Sequence, residues 1–126
     1  MTVRKYSSIS IDTTLVAGGI SPTATTMTVA TGTGSSLMGG ITLTTGDIFT
    51  VALDPDTTSE EICYITVQSG DVFTITRGEA GTAGVTHAAG ATVRHVLSSD
   101  DLNYFNQAIQ STTPPGSTPT IDGGTP

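Results

Sequence analysis

A chain of 126 residues has room for one domain and one core. With 4 Lys and Arg against 11 Asp and Glu it carries a formal charge of −7, which leaves no surface able to neutralise phosphates and excludes nucleic acid and anionic membranes as partners. One Cys rules out an internal disulfide framework and a Cys-based zinc site, and no apolar run reaches the roughly 18 residues of a membrane helix.

Charged residues make up only 12% of the chain, about half the usual quarter, while 26 Thr and 15 Gly stand in their place. Thr, Val and Ile are stiff at χ1 and fit a pleated surface, so the composition predicts an all-β fold. Basic residues near Met1 are not followed by an apolar stretch, so no secretory signal is expected. Residues 8–16 and 25–30 read as short strands divided by the breaker run 17–22, and residues 32–40, with four Gly and two Ser, read as a loop. In 48–53, Phe49, Val51 and Leu53 alternate with Ile48, Thr50 and Ala52, a strand buried mainly on one face.

The segments 61–68 and 71–77 form a predicted hairpin about Ser69-Gly70. Cys63, Ile65 and Val67 share one face of its first strand; Phe73 and Ile75 share one face of the second, opposite Val72, Thr74 and Thr76. Residues 78–90 are a glycine-rich loop, and 92–97 the last strand. A helix then follows, capped by Ser98 or Ser99, with Asp100 and Asp101 in its first turn and Leu102, Phe105 and Ile109 on one face. The pattern predicts a small antiparallel β-barrel or sandwich over residues 1–97, a closing helix over 98–110, and an extended Pro, Gly and Thr-rich tail over 111–126.

No constellation assembles an active site. Asp54, Asp56, Glu60 and the adjacent Glu61 are hard oxygen donors in one loop and the weak candidates for a cation, but the central Gly and the bidentate position 12 of a calcium loop are missing. The 78–90 loop lacks the Lys-Ser or Lys-Thr of a phosphate cradle and leads into a strand. His95 reads as a core or rim imidazole, and His87 as a residue that pins its loop through a carbonyl or a carboxylate. Zinc would require both histidines and a carboxylate to meet. There is no Gly-x-Ser-x-Gly elbow, and Cys63 reads as a small core residue. No cofactor and no enzymatic activity are expected.

Two stretches carry a resemblance. Residues 9–30 hold a TTL…I…TATTMTVA cadence. Residues 49–96 hold a glutamate-led strand, a G-D-x-F-T-I-T-R-G hairpin and a G-T-x-x-x-x-H-x-x-G-A-x-V close. Together they resemble a family of small β domains found in virion structural proteins of tailed bacteriophages. The resemblance implies that Arg77, Gly78, Gly81, Thr82, His87 and Gly90 are structural positions; the chemistry agrees, since Arg77 leaving the hairpin strand is placed to meet loop carbonyls or a carboxylate such as Glu61. It further implies a non-enzymatic virion protein; the small hydroxyl-rich domain, acidic surface, absence of a site and predicted flexible ends then favour a capsid decoration (cement) protein partnering the major capsid protein, and the modest core favours a homo-oligomer, a trimer foremost. The alternatives are a neck or tail adaptor or fibre-base protein and, from another class, a carbohydrate-binding adhesion module using Tyr6 or Tyr64.

Overall fold

A computed structural model describes residues 3–111, with the side chains of 110 and 111 excepted. The chain runs β1 (Val3–Lys5), β2 (Thr13–Thr14), β3 (Thr26–Thr28), α1 (Gly34–Met38), β4 (Asp47–Leu53), β5 (Glu61–Ser69), β6 (Val72–Glu79), β7 (Thr92–His95) and α2 (Ser99–Ser111). Six strands follow the path β2-β7-β4-β5-β6-β3, antiparallel at each step. The sheet curls until its two ends touch, where Leu15 bridges Val29. There the Val16 N–H donates to Thr28 O at 3.1 Å and the Ala30 N–H to Thr14 O at 2.9 Å. The fold is thus the expected mostly-β, barrel-like sheet with one C-terminal helix. Among the described residues, no helix is long and apolar enough to cross a membrane.

The core lies inside the curl. Phe49, Val51 and Leu53 of β4, Cys63 and Ile65 of β5, Phe73 and Ile75 of β6, and Val93 of β7 are buried there with Met27, Val29, Leu37 and Met38. On β6 the alternation is as read, with Phe73 and Ile75 inside and Val72, Thr74 and Thr76 outside. Elsewhere the pattern needs correction. β4 is buried on both faces, because Thr50 and Ala52 are covered too; Thr50 Oγ1 donates to Asp101 of α2 at 3.1 Å. Val67 is exposed, not inside with Cys63 and Ile65, because the β5–β6 register shifts between Ile65 and Val67. An extra residue in one strand reverses the facing of the residues beyond it.

The hairpin turn is Gly70-Asp71, one residue beyond the expected pair, since Ser69 still pairs with Val72. That shift frees Asp71 to serve a second element. Its carboxylate accepts the N–H groups of Gly32 (3.0 Å) and Gly34 (2.9 Å), which holds it below the ordinary carboxylate range. These bonds stand at the entrance of α1, a helical turn in the segment read as loop. Position 34 takes glycine because nothing larger fits: a Cβ there would lie 2.2 Å from Gly70 O. Glycine here marks close packing of a turn on a hairpin, not a break.

Two further expectations are corrected at the N-terminus. Of residues 8–16 only Thr13–Thr14 and the Leu15 bridge are paired in the sheet. Residues 9–11 instead hang on α1, with Ser10 Oγ donating to Leu37 O and the Ile11 N–H to Ser36 O. β1, absent from the sequence reading, pairs with the first half of β4 in parallel, the one parallel pairing among the described residues. The second half of that β4 edge belongs to β7.

The helix α2 is where expected, but it is held differently. Leu102, Phe105 and Ile109 stay about half exposed. The attachment is polar: Asp101 is fully buried, and its carboxylate accepts from the Ser98 N–H and Ser98 Oγ at 2.9 Å and from Arg4 at 3.0 Å. Ser98 Oγ in turn accepts the Asp101 N–H, the reciprocal pattern of a capping box with Asp in the acidic place. The expected tail, apart from its first residue at the end of α2, lies outside the described residues.

Candidate functional site

The densest polar constellation sits where three connections meet at one end of the barrel. β4 leaves the sheet at Asp54, which adopts a left-handed φ of 52°, and β5 re-enters at Glu61. β6 ends past Arg77 and Gly78, and the following loop folds back so that His87 bridges Ile20 in the 17–22 segment. Arg77, Gly78 and His87, all drawn from the sequence motif, converge on Glu61.

Glu61 is completely buried. Arg77 grips it as a fork, Nε donating to Oε2 at 2.6 Å and Nη2 to Oε1 at 2.8 Å. The Gly78 N–H donates to Oε2 at 2.9 Å and the Val85 N–H to Oε1 at 3.1 Å. Burial works against the charged form, yet Arg77, His87 and the two amides bring the Glu61 carboxyl down to about 2. The remaining Arg77 donors are used as well, on the carbonyls of Ser21 (2.6 Å), Ala24 (2.9 Å) and Val85 (2.7 Å). One guanidinium therefore ties β6 to β5, to the 17–24 segment and to the loop after β6. Its own affinity for the proton is raised, chiefly by Glu61.

His87 is buried between two carboxylates. Nδ1 lies 2.7 Å from Asp54 Oδ2, and Nε2 lies 2.9 Å from Glu61 Oε1. Both contacts are hydrogen bonds only if the ring carries both protons or one carboxyl carries one. The sequence reading of His87 as a pin on its loop is correct in kind. That the pin has two carboxylate ends was not legible.

The other motif positions shape the loop. Thr82 Oγ1 donates to Glu79 O at 2.7 Å and accepts the Ile62 N–H at 2.9 Å, so it extends the β5–β6 ladder past its end. Gly81 and Gly90 take φ of 83° and 86°, a region L side chains rarely enter. Cys63 points its thiol at Glu61 Oε2 (3.4 Å), and burial together with that charge pushes it up to about 12. Such a thiol is no nucleophile near neutrality.

The weak cation candidates are not gathered. Asp54 faces His87, whereas Asp56 lies 3.5 Å from Arg94, which also holds Asp12 at 2.9 Å. Glu60 is exposed. Among the described residues no three His, Cys, Asp or Glu side chains form a group able to hold a metal ion. His95 stays apart from His87 as well: its Nδ1 meets Thr50 O at 2.7 Å, its Nε2 accepts the Ser7 N–H at 3.2 Å, and its ring stacks on Phe49. That pairing fits a neutral imidazole, and burial lowers its affinity for a second proton.

A second cluster was missed in sequence. Arg4 lies over the Tyr64 ring at 4.8 Å while it pairs with Asp101. Tyr64 Oη donates to Asp100 at 2.6 Å, and burial with that carboxylate pushes its hydroxyl up to about 12. Tyr6 stacks on Phe105. The available signal was Ser98-x-x-Asp101, a capping-box spacing; the role of Arg4, 97 residues away, had none. Compared with known proteins, the chain matches no family model and no curated sequence.

Proposed function

We propose that the chain is a non-enzymatic structural protein of a tailed-phage virion, foremost a head decoration protein seated on the major capsid protein as a homo-oligomer. One observation carries the reading: the motif side chains Arg77, Thr82 and His87 make their bonds inside the fold, on Glu61, Asp54, Glu79 and loop carbonyls. The motif that resembles virion β domains is therefore used to hold loops on a barrel rather than to present a reactive group. Little surface charge needs to be desolvated against a neighbour, which suits a subunit of a shell.

A neck or tail position is the second reading, and it needs the same fold. The sugar-binding reading has less support, since Tyr64 is buried with Arg4 over its ring and Tyr6 is stacked on Phe105. The test is a phage lacking this chain. Loss of head stability with release of DNA on heating or dilution supports the decoration reading, defective tail joining supports the adaptor reading, and particles unchanged in composition, stability and infectivity overturn both.

A further inference from the structure

We propose that His87 is a proton-operated latch on the 54–60 loop, closed when the ring holds two protons and open on the Asp54 side when it holds one. The inference is independent of the virion reading and rests on the geometry of one end of the barrel. The groups that face the ring are few. Asp54 comes from the loop after β4 and Glu61 from the start of β5; Arg77 of β6 and Cys63 of β5 reach it only through Glu61. The 17–22 segment presents the backbone of Ile20, bonded to the His87 backbone at 2.9 and 3.0 Å.

A ring with two protons donates to both carboxylates. A ring with one proton must turn a lone pair toward one of them, and the two ends differ in how they can respond. Glu61 is fully buried and fixed by the Arg77 fork and two backbone amides, so it can neither turn away nor reach water. Asp54 has a side chain 27% exposed, and among the described residues its carboxylate bonds only to His87. The remaining proton therefore stays on Nε2, facing Glu61, and Asp54 swings into solvent. The Asp54 N–H stays bonded to Thr92 O at 2.9 Å, so the release is of the side chain and the turn that follows it. The loop from 85 to 87 keeps its own ties through Arg77, Glu61 and Ile20 and does not open. The latch thus closes as pH falls and opens as pH rises.

The test is ring-nitrogen NMR of His87 together with amide exchange, corrected for intrinsic rates, across the whole pH range in which the protein stays folded. Expected are loss of the Nδ1 proton with Nε2 still protonated, and amide exchange at residues 56–60 that speeds several-fold on the alkaline side while residues 85–87 stay protected. Asp54→Asn, whose amide can accept from or donate to either ring form, should make exchange at 56–60 independent of pH. Loss of the Nε2 proton first, or exchange at 56–60 that ignores pH, would overturn the latch. So would an identical pH response in Asp54→Asn. Should that variant fail to fold, the two wild-type readouts alone decide.

Discussion

Replacing Glu61 with Gln keeps the shape of the side chain and removes its charge. The amide leaves the Arg77 guanidinium, only 8% exposed, without its counter-ion and turns an N–H toward one of the donors that Glu61 now satisfies. Breaking a buried pair from one side costs about 3–5 kcal/mol. The carboxyl itself gives a second route to the magnitude. Its fall from 4.5 to about 2 corresponds to about 3 kcal/mol, at about 1.4 kcal/mol per unit. Because the folded value is depressed, this stabilisation is complete above 4.5 and fades as pH falls toward 2. Urea unfolding followed by tyrosine fluorescence, the chain having no Trp, should show Glu61→Gln weaker by about 3–5 kcal/mol at neutral pH with the same m-value. At about pH 3, about 2 kcal/mol of that gap should be gone, because the wild type has lost it. Other carboxylates cancel in the difference between the two proteins. A neutral-pH gap below about 1 kcal/mol, the level of an ordinary hydrogen bond, or a gap that does not narrow in acid, would refute the reasoning.

Arg77→Lys preserves the charge but cannot span two carboxylate oxygens and three carbonyls, so a loss of about 3 kcal/mol is expected by urea titration. Asp101→Ala removes the cap of α2 and its tie to Arg4; stability should fall by about 2 kcal/mol, with hydrogen-exchange protection lost across α2 and kept in β4 and β5. Gly34→Ala should destabilise, against the gain of about 1 kcal/mol that helix propensity alone assigns, because the new Cβ meets Gly70 O; thermal melts decide the sign. Cys63 should resist a thiol reagent in the native protein and react stoichiometrically in urea, as a buried thiol pushed up to about 12 requires.

The strands of the central hairpin were legible because alternation and a turn glycine are local signals, although the turn itself was read one residue early, at Ser69-Gly70 instead of Gly70-Asp71. Val67 was misplaced because a bulge leaves no mark in the alternation of a single strand. The turn at Gly34–Met38 was hidden by the surrounding glycines, of which Gly34 serves a close approach to Gly70, a contact visible only once the chain is folded. Glycine enrichment reports both flexibility and close packing, and sequence does not separate the two. In the site, Glu61 could be named among the partners open to Arg77, with loop carbonyls as the others, because Arg77 leaves the hairpin strand there; the structure uses both kinds. The Asp54 end of His87 and the Arg4–Asp101 tie depend on how distant segments cross, and neither spacing nor periodicity encodes that. The apolar face of α2 was correctly periodic, but periodicity does not say what covers a face, and Leu102 and Phe105 remain half exposed.

The most direct test of the virion reading is a count. If the virion reading holds, quantitative mass spectrometry of purified particles from the source of this chain, with intact heads and tails separated, gives its copy number and its position together. A copy number approaching that of the major capsid protein, recovered with heads, is the expected result. Recovery with tails at a few copies per particle would contradict the decoration reading, and absence from purified particles would contradict the virion reading altogether.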